Sequence, residues 1–112
     1  MIKRYCLAVL SGVIALIYAG WLSAGALDEA VRRGVLKVGT TPTYVPFEMK
    51  DKQGRIVGFE IDLLQAMSRA LGVELELVAV PYTELLPGLM AKKFDLIGSG
   101  MTVTQERNLK LN

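Results

Sequence analysis

Residues 59–80 read Phe-Glu-Ile-Asp-Leu-Leu-Gln-Ala-Met-Ser-Arg-Ala-Leu-Gly-Val-Glu-Leu-Glu-Leu-Val-Ala-Val, and the hydrophobic period changes within them. Ile61, Leu64, Met67, Ser68 and Leu71 recur at three- and four-residue spacing, which predicts one face of a helix. Asp62 falls in the first turn, where the helix dipole favours an acid. Gly72 stands where a helix C-terminal glycine belongs. From Val73 the period drops to two: Val73, Leu75 and Leu77 alternate with Glu74 and Glu76, and the run then turns wholly apolar. That predicts a strand entering a core.

Working outward, the same alternation of elements continues. Upstream, Leu27 to Arg33 is a short helix with acids early and bases late, ended by Gly34. Val35 to Gly39 is a strand. Thr40 to Phe47 contains Pro42 and Pro46 and must be a loop. Asp51-Lys52-Gln53-Gly54 is a turn between two short extended pieces, Glu48 to Lys50 and Arg55 to Gly58. Downstream, Pro81 stops the strand and Thr83 to Ala91 is a helix, in which Pro87 fits only within the first turn. Phe94 to Gly98 is a third strand, and Thr104 caps a helix starting at Gln105. Strands alternating with helices imply right-handed crossovers and a parallel sheet with helices packed on it, an α/β fold. Ligands of such open sheets sit beyond the carboxyl ends of the strands. Three segments leave that edge: 40–47, 81–83 and 99–104.

The beginning of the chain has a different character. Lys3 and Arg4 precede an apolar run from Tyr5 to Leu22, followed by Ser23-Ala24-Gly25-Ala26. A basic start, an apolar core and an A-x-A site form a secretory signal, expected to be cut after Ala26. The run is also long enough to serve as a membrane anchor, but the Ala-Gly-Ala ending favours cleavage. Cys6, the single cysteine, would leave with the signal. The whole chain carries 13 Lys+Arg and 11 Asp+Glu; setting aside Lys3 and Arg4 leaves 11 of each. That balance offers no basic field for nucleic acid or an acidic membrane surface. With no histidine anywhere and no cysteine after Cys6, disulfides, Cys/His metal sites and histidine-based catalysis are excluded from the part beyond the signal. No cofactor or metal is expected.

Residues 99–107, Ser-Gly-Met-Thr-Val-Thr-Gln-Glu-Arg, carry the most chemistry. Gly100 lets a ligand approach the backbone. Ser99 and Thr102 offer hydroxyls that donate or accept. The helix start presents free N–H groups, and Arg107 in its first turn can grip a carboxylate with two bonds. Spacing alone serves equally a capped helix with a solvated arginine. Tyr44 and Tyr82 lie on loops at the same edge, where they either enclose a ligand side chain or lid the core. Asp62 and Asp95 are read as structural; Asp95 opens a buried strand and needs hydrogen-bond partners there. No nucleophile stands beside a base, and Gly98-x-Gly100 alone is weak evidence for a nucleotide.

Five stretches, in order, resemble the N-terminal part of family 3 extracellular solute-binding proteins, the polar-amino-acid receptors of ABC importers. They are Gly34-Val35-Leu36-Lys37-Val38-Gly39-Thr40, Tyr44-Val45-Pro46-Phe47-Glu48, Gly58-Phe59-Glu60-Ile61-Asp62-Leu63, Lys93-Phe94-Asp95-Leu96-Ile97 and Gly100 to Arg107. The resemblance covers residues 27–112. It implies a partial lobe 1 of a periplasmic-binding-protein type II fold, truncated and with the second lobe absent. The whole protein would be a monomeric periplasmic receptor that closes on a free amino acid and delivers it to a membrane permease. It implies that Arg107 binds the ligand α-carboxylate, Thr102 lies near carboxylate and ammonium, Gly100 lies beside the ammonium and Ser99 is a neighbouring cleft residue. Tyr44 and Tyr82 would pack around the ligand side chain. Thr41 stands where several members carry an aspartate, which weakens the expectation of a lysine- or arginine-type ligand. Eighty-six residues beyond the signal make a marginal core, so this chain alone is expected to be unstable and to bind weakly. Two other roles stay open on the same fold: a cyclohexadienyl-dehydratase-like lyase, and the sensing domain of a membrane-bound kinase or lytic transglycosylase.

Overall fold

A computed structural model describes residues 25–111. The expected signal therefore lies almost wholly outside the described residues. The elements are α1 (Ala26–Arg33), β1 (Val35–Thr40), β2 (Met49–Lys50), β3 (Ile56–Val57), α2 (Phe59–Leu71), β4 (Glu74–Ala79), α3 (Tyr82–Met90), β5 (Leu96–Ile97) and α4 (Gln105–Asn108). Among the described residues, no helix is long and apolar enough to cross a membrane.

The main sheet has the order β4-β1-β5, and both pairings are parallel. β1 and β4 run together from Val35↔Glu74 to Thr40↔Ala79. β2 and β3 form a separate antiparallel hairpin, tied across its turn by Asp51. The order follows from handedness. The connection through α2 steps from β1 to one neighbour, and the connection through α3 steps back past β1 to the other. Two right-handed crossovers in opposite directions place their helices on opposite faces of the sheet.

Each face has its own core. On one, Leu36 and Val38 pack with Ala30 of α1 and with Ile61 and Leu64 of α2. Ser68 is buried on that helix face as well, its hydroxyl donating to the Leu64 carbonyl at 2.9 Å. On the other, the ring of Phe94 lies between Gly39 of β1 and Gly88 of α3. A Cβ at either glycine would come within 2.6 Å of that ring. Phe94 and Leu85 are both buried. Gly72 ends α2 with φ 70°, its N–H reaching back to the Arg69 and Ser68 carbonyls; a left-handed residue here is cheapest as glycine.

Three expectations need correction. Met67 is 40 % exposed, because the buried stripe of α2 runs through Ile61, Leu64 and Ser68 and passes beside it. β4 is an edge strand with no fully buried residue, since β1 pairs along only one of its sides; its apolar residues cover the core rather than lie within it. Finally, α3 begins at Tyr82, so Tyr82 is helical and Pro87 falls in the second turn. Proline there removes only the bond to the Thr83 carbonyl. Thr83 and Pro87 are both exposed, so that carbonyl is open to water.

Candidate functional site

Because the three strands are parallel, their carboxyl ends lie at one edge, and the following segments are laced together there. β1 continues to Thr41. The Thr41 N–H donates to Ser99 Oγ at 3.0 Å, and Thr41 Oγ1 donates to the Val80 carbonyl at 2.7 Å. One residue thereby ties the segment after β1 to those after β5 and β4. Its hydroxyl proton is engaged in that tie, leaving acceptor capacity toward the cleft.

Ser99 is almost fully buried and donates to Glu48 Oε1 at 3.0 Å. Gly100 has φ 53°, a left-handed conformation, and a Cβ there would stand 3.0 Å from the Tyr44 ring; close approach and backbone conformation both select glycine. The Gly100 N–H donates to Glu60 Oε2 at 3.1 Å. Thr41, Thr43, Tyr44, Glu48, Tyr82, Ser99 and Gly100 line a cleft of about 320 Å³.

Ser99 and Gly100 also line an adjoining groove of about 470 Å³, shared with Glu60, Thr102 and Arg107. Thr104 caps α4 by accepting the Arg107 N–H at 3.2 Å. The capped turn orients the Arg107 side chain. Its Nη1 donates to the Thr102 carbonyl at 2.7 Å, and its Nη2 lies 3.5 Å from the Tyr82 hydroxyl. The guanidinium thus stands between the two depressions. Among the described residues no carboxylate pairs with it, which leaves its charge for an anion. Tyr44 and Tyr82 remain about half exposed, and the Tyr44 ring is braced by Phe47 with centroids 5.1 Å apart. All seven residues expected to hold a ligand therefore border these two contiguous depressions.

Asp62 lies outside both depressions, and Asp95 borders the larger groove but has its carboxylate engaged within the fold. Asp95 accepts from Arg33 Nη2 at 2.6 Å and from the Lys37 N–H at 2.9 Å, at the amino ends of the strands. A further groove of about 350 Å³ near this pair is lined by Glu29, Arg33 and Asp95 but by none of the expected ligand residues. No cluster of metal-ligating side chains occurs among the described residues.

Sequence reading missed Glu48 and Glu60 as parts of the site. Glu48 is completely buried. Burial, reinforced by the neighbouring Glu60, pushes its carboxyl up from 4.5 to about 7, against the lowering effect of the Ser99 hydrogen bond. Two buried side-chain oxygens lack a partner among the described residues, Thr40 Oγ1 and Glu48 Oε2. The available signal was the position of Glu48 between apolar Phe47 and Met49 at a loop-to-strand entry; nothing local says that the acid turns inward.

The parallel sheet and the laced carboxyl edge define part of an α/β lobe. The chain belongs to the bacterial extracellular solute-binding proteins, family 3, whose model matches residues 36–112. It is 38% identical over 89 residues to the histidine-binding periplasmic protein of Escherichia coli K12, a match covering 80% of this chain and 34% of that protein. The chain thus spans about a third of the length of that curated relative. Among solved structures, it is similar to the arginine-bound form of domain 1 from TmArgBP of T. maritima, with TM-score 0.71 and 48% identity over 73% of this chain and 65% of that one. It is likewise similar to the ancestral amino-acid-binding protein AncCDT-1, described as a precursor of cyclohexadienyl dehydratase, with TM-score 0.71 and 46% identity over 77% of this chain and 38% of that one.

Proposed function

We propose that this chain supplies the first half of the grip of an extracytoplasmic amino-acid receptor, working with an ABC-type import permease. The observation that carries this reading is the placement of Arg107, oriented by its capped turn beside Tyr82 and facing the depressions lined by Ser99, Gly100 and Thr102. A zwitterion's carboxylate would take the guanidinium fork and the Thr102 hydroxyl. Its ammonium would lie toward Ser99 and Gly100, and its side chain between Tyr44 and Tyr82. The receptor would be a periplasmic monomer, released from a signal peptide cut after Ala26; N-terminal sequencing of the exported protein would then begin at Leu27.

The relatives' names speak for a basic ligand, histidine or arginine, whereas Thr41 withholds the acid such a ligand would meet after β1. Calorimetry with L-arginine, L-lysine, L-histidine and a neutral amino acid decides between these. In the full gene product, Arg107→Ala is expected to weaken binding of whichever amino acid binds by about 2–5 kcal/mol, the range for breaking a buried charge pair. Unchanged affinity would remove the basis of this assignment.

A lyase reading has one specific support, the description of AncCDT-1 as a dehydratase precursor. Incubation of the full gene product with prephenate or arogenate tests it: product formation favours the lyase, and tight amino-acid binding without turnover favours the receptor.

A further inference from the structure

We propose that Glu48 and Glu60 share one proton, and that this carboxyl pair positions the Ser99-Gly100 loop so that the grip on ligand weakens when the proton is lost. The inference rests on the amino-acid-binding reading for its ligand arm, but its geometry stands apart from it. Glu48 is fully buried and holds Ser99 through Oε1, while Glu60, on α2, holds the next residue through the Gly100 N–H. Two consecutive loop residues are thus held by two carboxyl groups from different elements.

Taken as ionised, Glu48 Oε2 has no hydrogen-bond partner. Two carboxylates cannot bond to each other, because neither carries a donor. One proton on Oε2 resolves this, since the adjacent Glu60 carboxylate then accepts it. The Glu48 carboxyl meets the Ser99 hydroxyl and Glu60, while the Glu48 backbone pairs with that of Tyr44. Among the described residues neither glutamate has a cationic partner in a salt bridge. Ionising both would set a buried charge on Glu48 beside the like charge of the partly exposed Glu60. The least costly relief is for one carboxylate to swing toward water, releasing Ser99 or Gly100.

The sign follows from burial. The stability supplied by neutral Glu48 is complete below the ordinary value of 4.5 and is lost as pH rises through about 7. This chain contains no histidine to titrate in that window.

The experiment uses the full gene product between pH 5 and 8.5, with L-arginine and L-lysine as probes because their side chains do not titrate there. Thermal unfolding without ligand is expected to shift down as pH rises. Affinity for the probe that binds is expected to fall about tenfold, the ordinary scale of coupling between two sites. Glu48→Gln, whose amide donates to Glu60 while its carbonyl still accepts from Ser99, is expected to flatten both profiles at the acid-side level. Should the first variant fold poorly, Glu60→Gln leaves Glu48 buried and titrating but removes the neighbouring charge, so it is expected to move the midpoint of both profiles to lower pH. Wild-type unfolding that is flat across this range overturns the shared proton. So does a pH profile that neither variant moves. Affinity that rises with pH overturns it as well, and marks Glu48 as a direct partner of a cationic ligand. If neither amino acid binds at any pH, the receptor reading is in trouble, and the ligand-free unfolding profile still decides the proton.

Discussion

Asp95 shows how one carboxylate joins the start of β5 to β1. It accepts a backbone N–H from Lys37 and a side-chain bond from Arg33, whose side chain is 40 % exposed against 13 % for the aspartate. An exposed ion-pair partner contributes little, about 0–1 kcal/mol. The bond from a backbone N–H to a charged acceptor is the stronger, about 1.5–3 kcal/mol. Asp95→Ala is therefore expected to destabilise by about 1.5–3 kcal/mol and Arg33→Ala by less than about 1 kcal/mol, measured by urea unfolding. Equal losses would place the stabilisation in the ion pair instead. The need of Asp95 for partners was legible, because an acid opening a buried strand cannot stand alone. The identity of Arg33 was not, since 62 residues separate the two and only the parallel pairing of β1 with β5 brings them together. Glu48 was illegible for the same reason: its meaning depends on Ser99, 51 residues later.

The elements were read well where a local period or a capping residue defines them. The helix ending at Gly72 and the Thr104 cap rest on interactions within a few residues, and the strand after Gly72 announces itself by alternation although its ladder to β1 is long-range. What failed was what depends on neighbours. Pro87 sits deeper in α3 than propensity allows because its exposed side leaves the Thr83 carbonyl open to water. β4 looked like a core strand because alternation reports one buried face and says nothing about which strand flanks it. The contact that fixes α3 and β5 on β1 is the ring of Phe94 between Gly39 and Gly88, and no periodicity announces it. Gly88→Ala adds a methyl 2.6 Å from that ring and pushes it toward Gly39 on its other side. The expected cost is about 1–3 kcal/mol, as for overpacking a filled core, despite the better helix propensity of alanine. A stability unchanged or raised in the Gly88→Ala protein would show that the ring yields.

For the molecule as a whole, topology does most of the work of building the site. Opposed crossovers on either side of β1 bring segments from three separate stretches to one edge, so residues as distant as Thr41 and Arg107 border adjoining depressions without any local signal joining them. The family likeness gave their roles as expectations; the lacing of Thr41, Ser99 and Val80 supplies a physical reason why they cluster. The same topology has a consequence away from the ligand. β4 runs along the margin of the sheet with one row of backbone groups unmatched among the described strands, and Glu74 and Glu76 project from it into solvent. A bare strand margin invites another chain to add itself, and repeated charges discourage that. These two acids act as a fence against self-assembly. Replacing both with valine would leave a flat apolar ribbon, and light scattering of the Glu74→Val, Glu76→Val protein should rise with concentration while the parent solution stays clear.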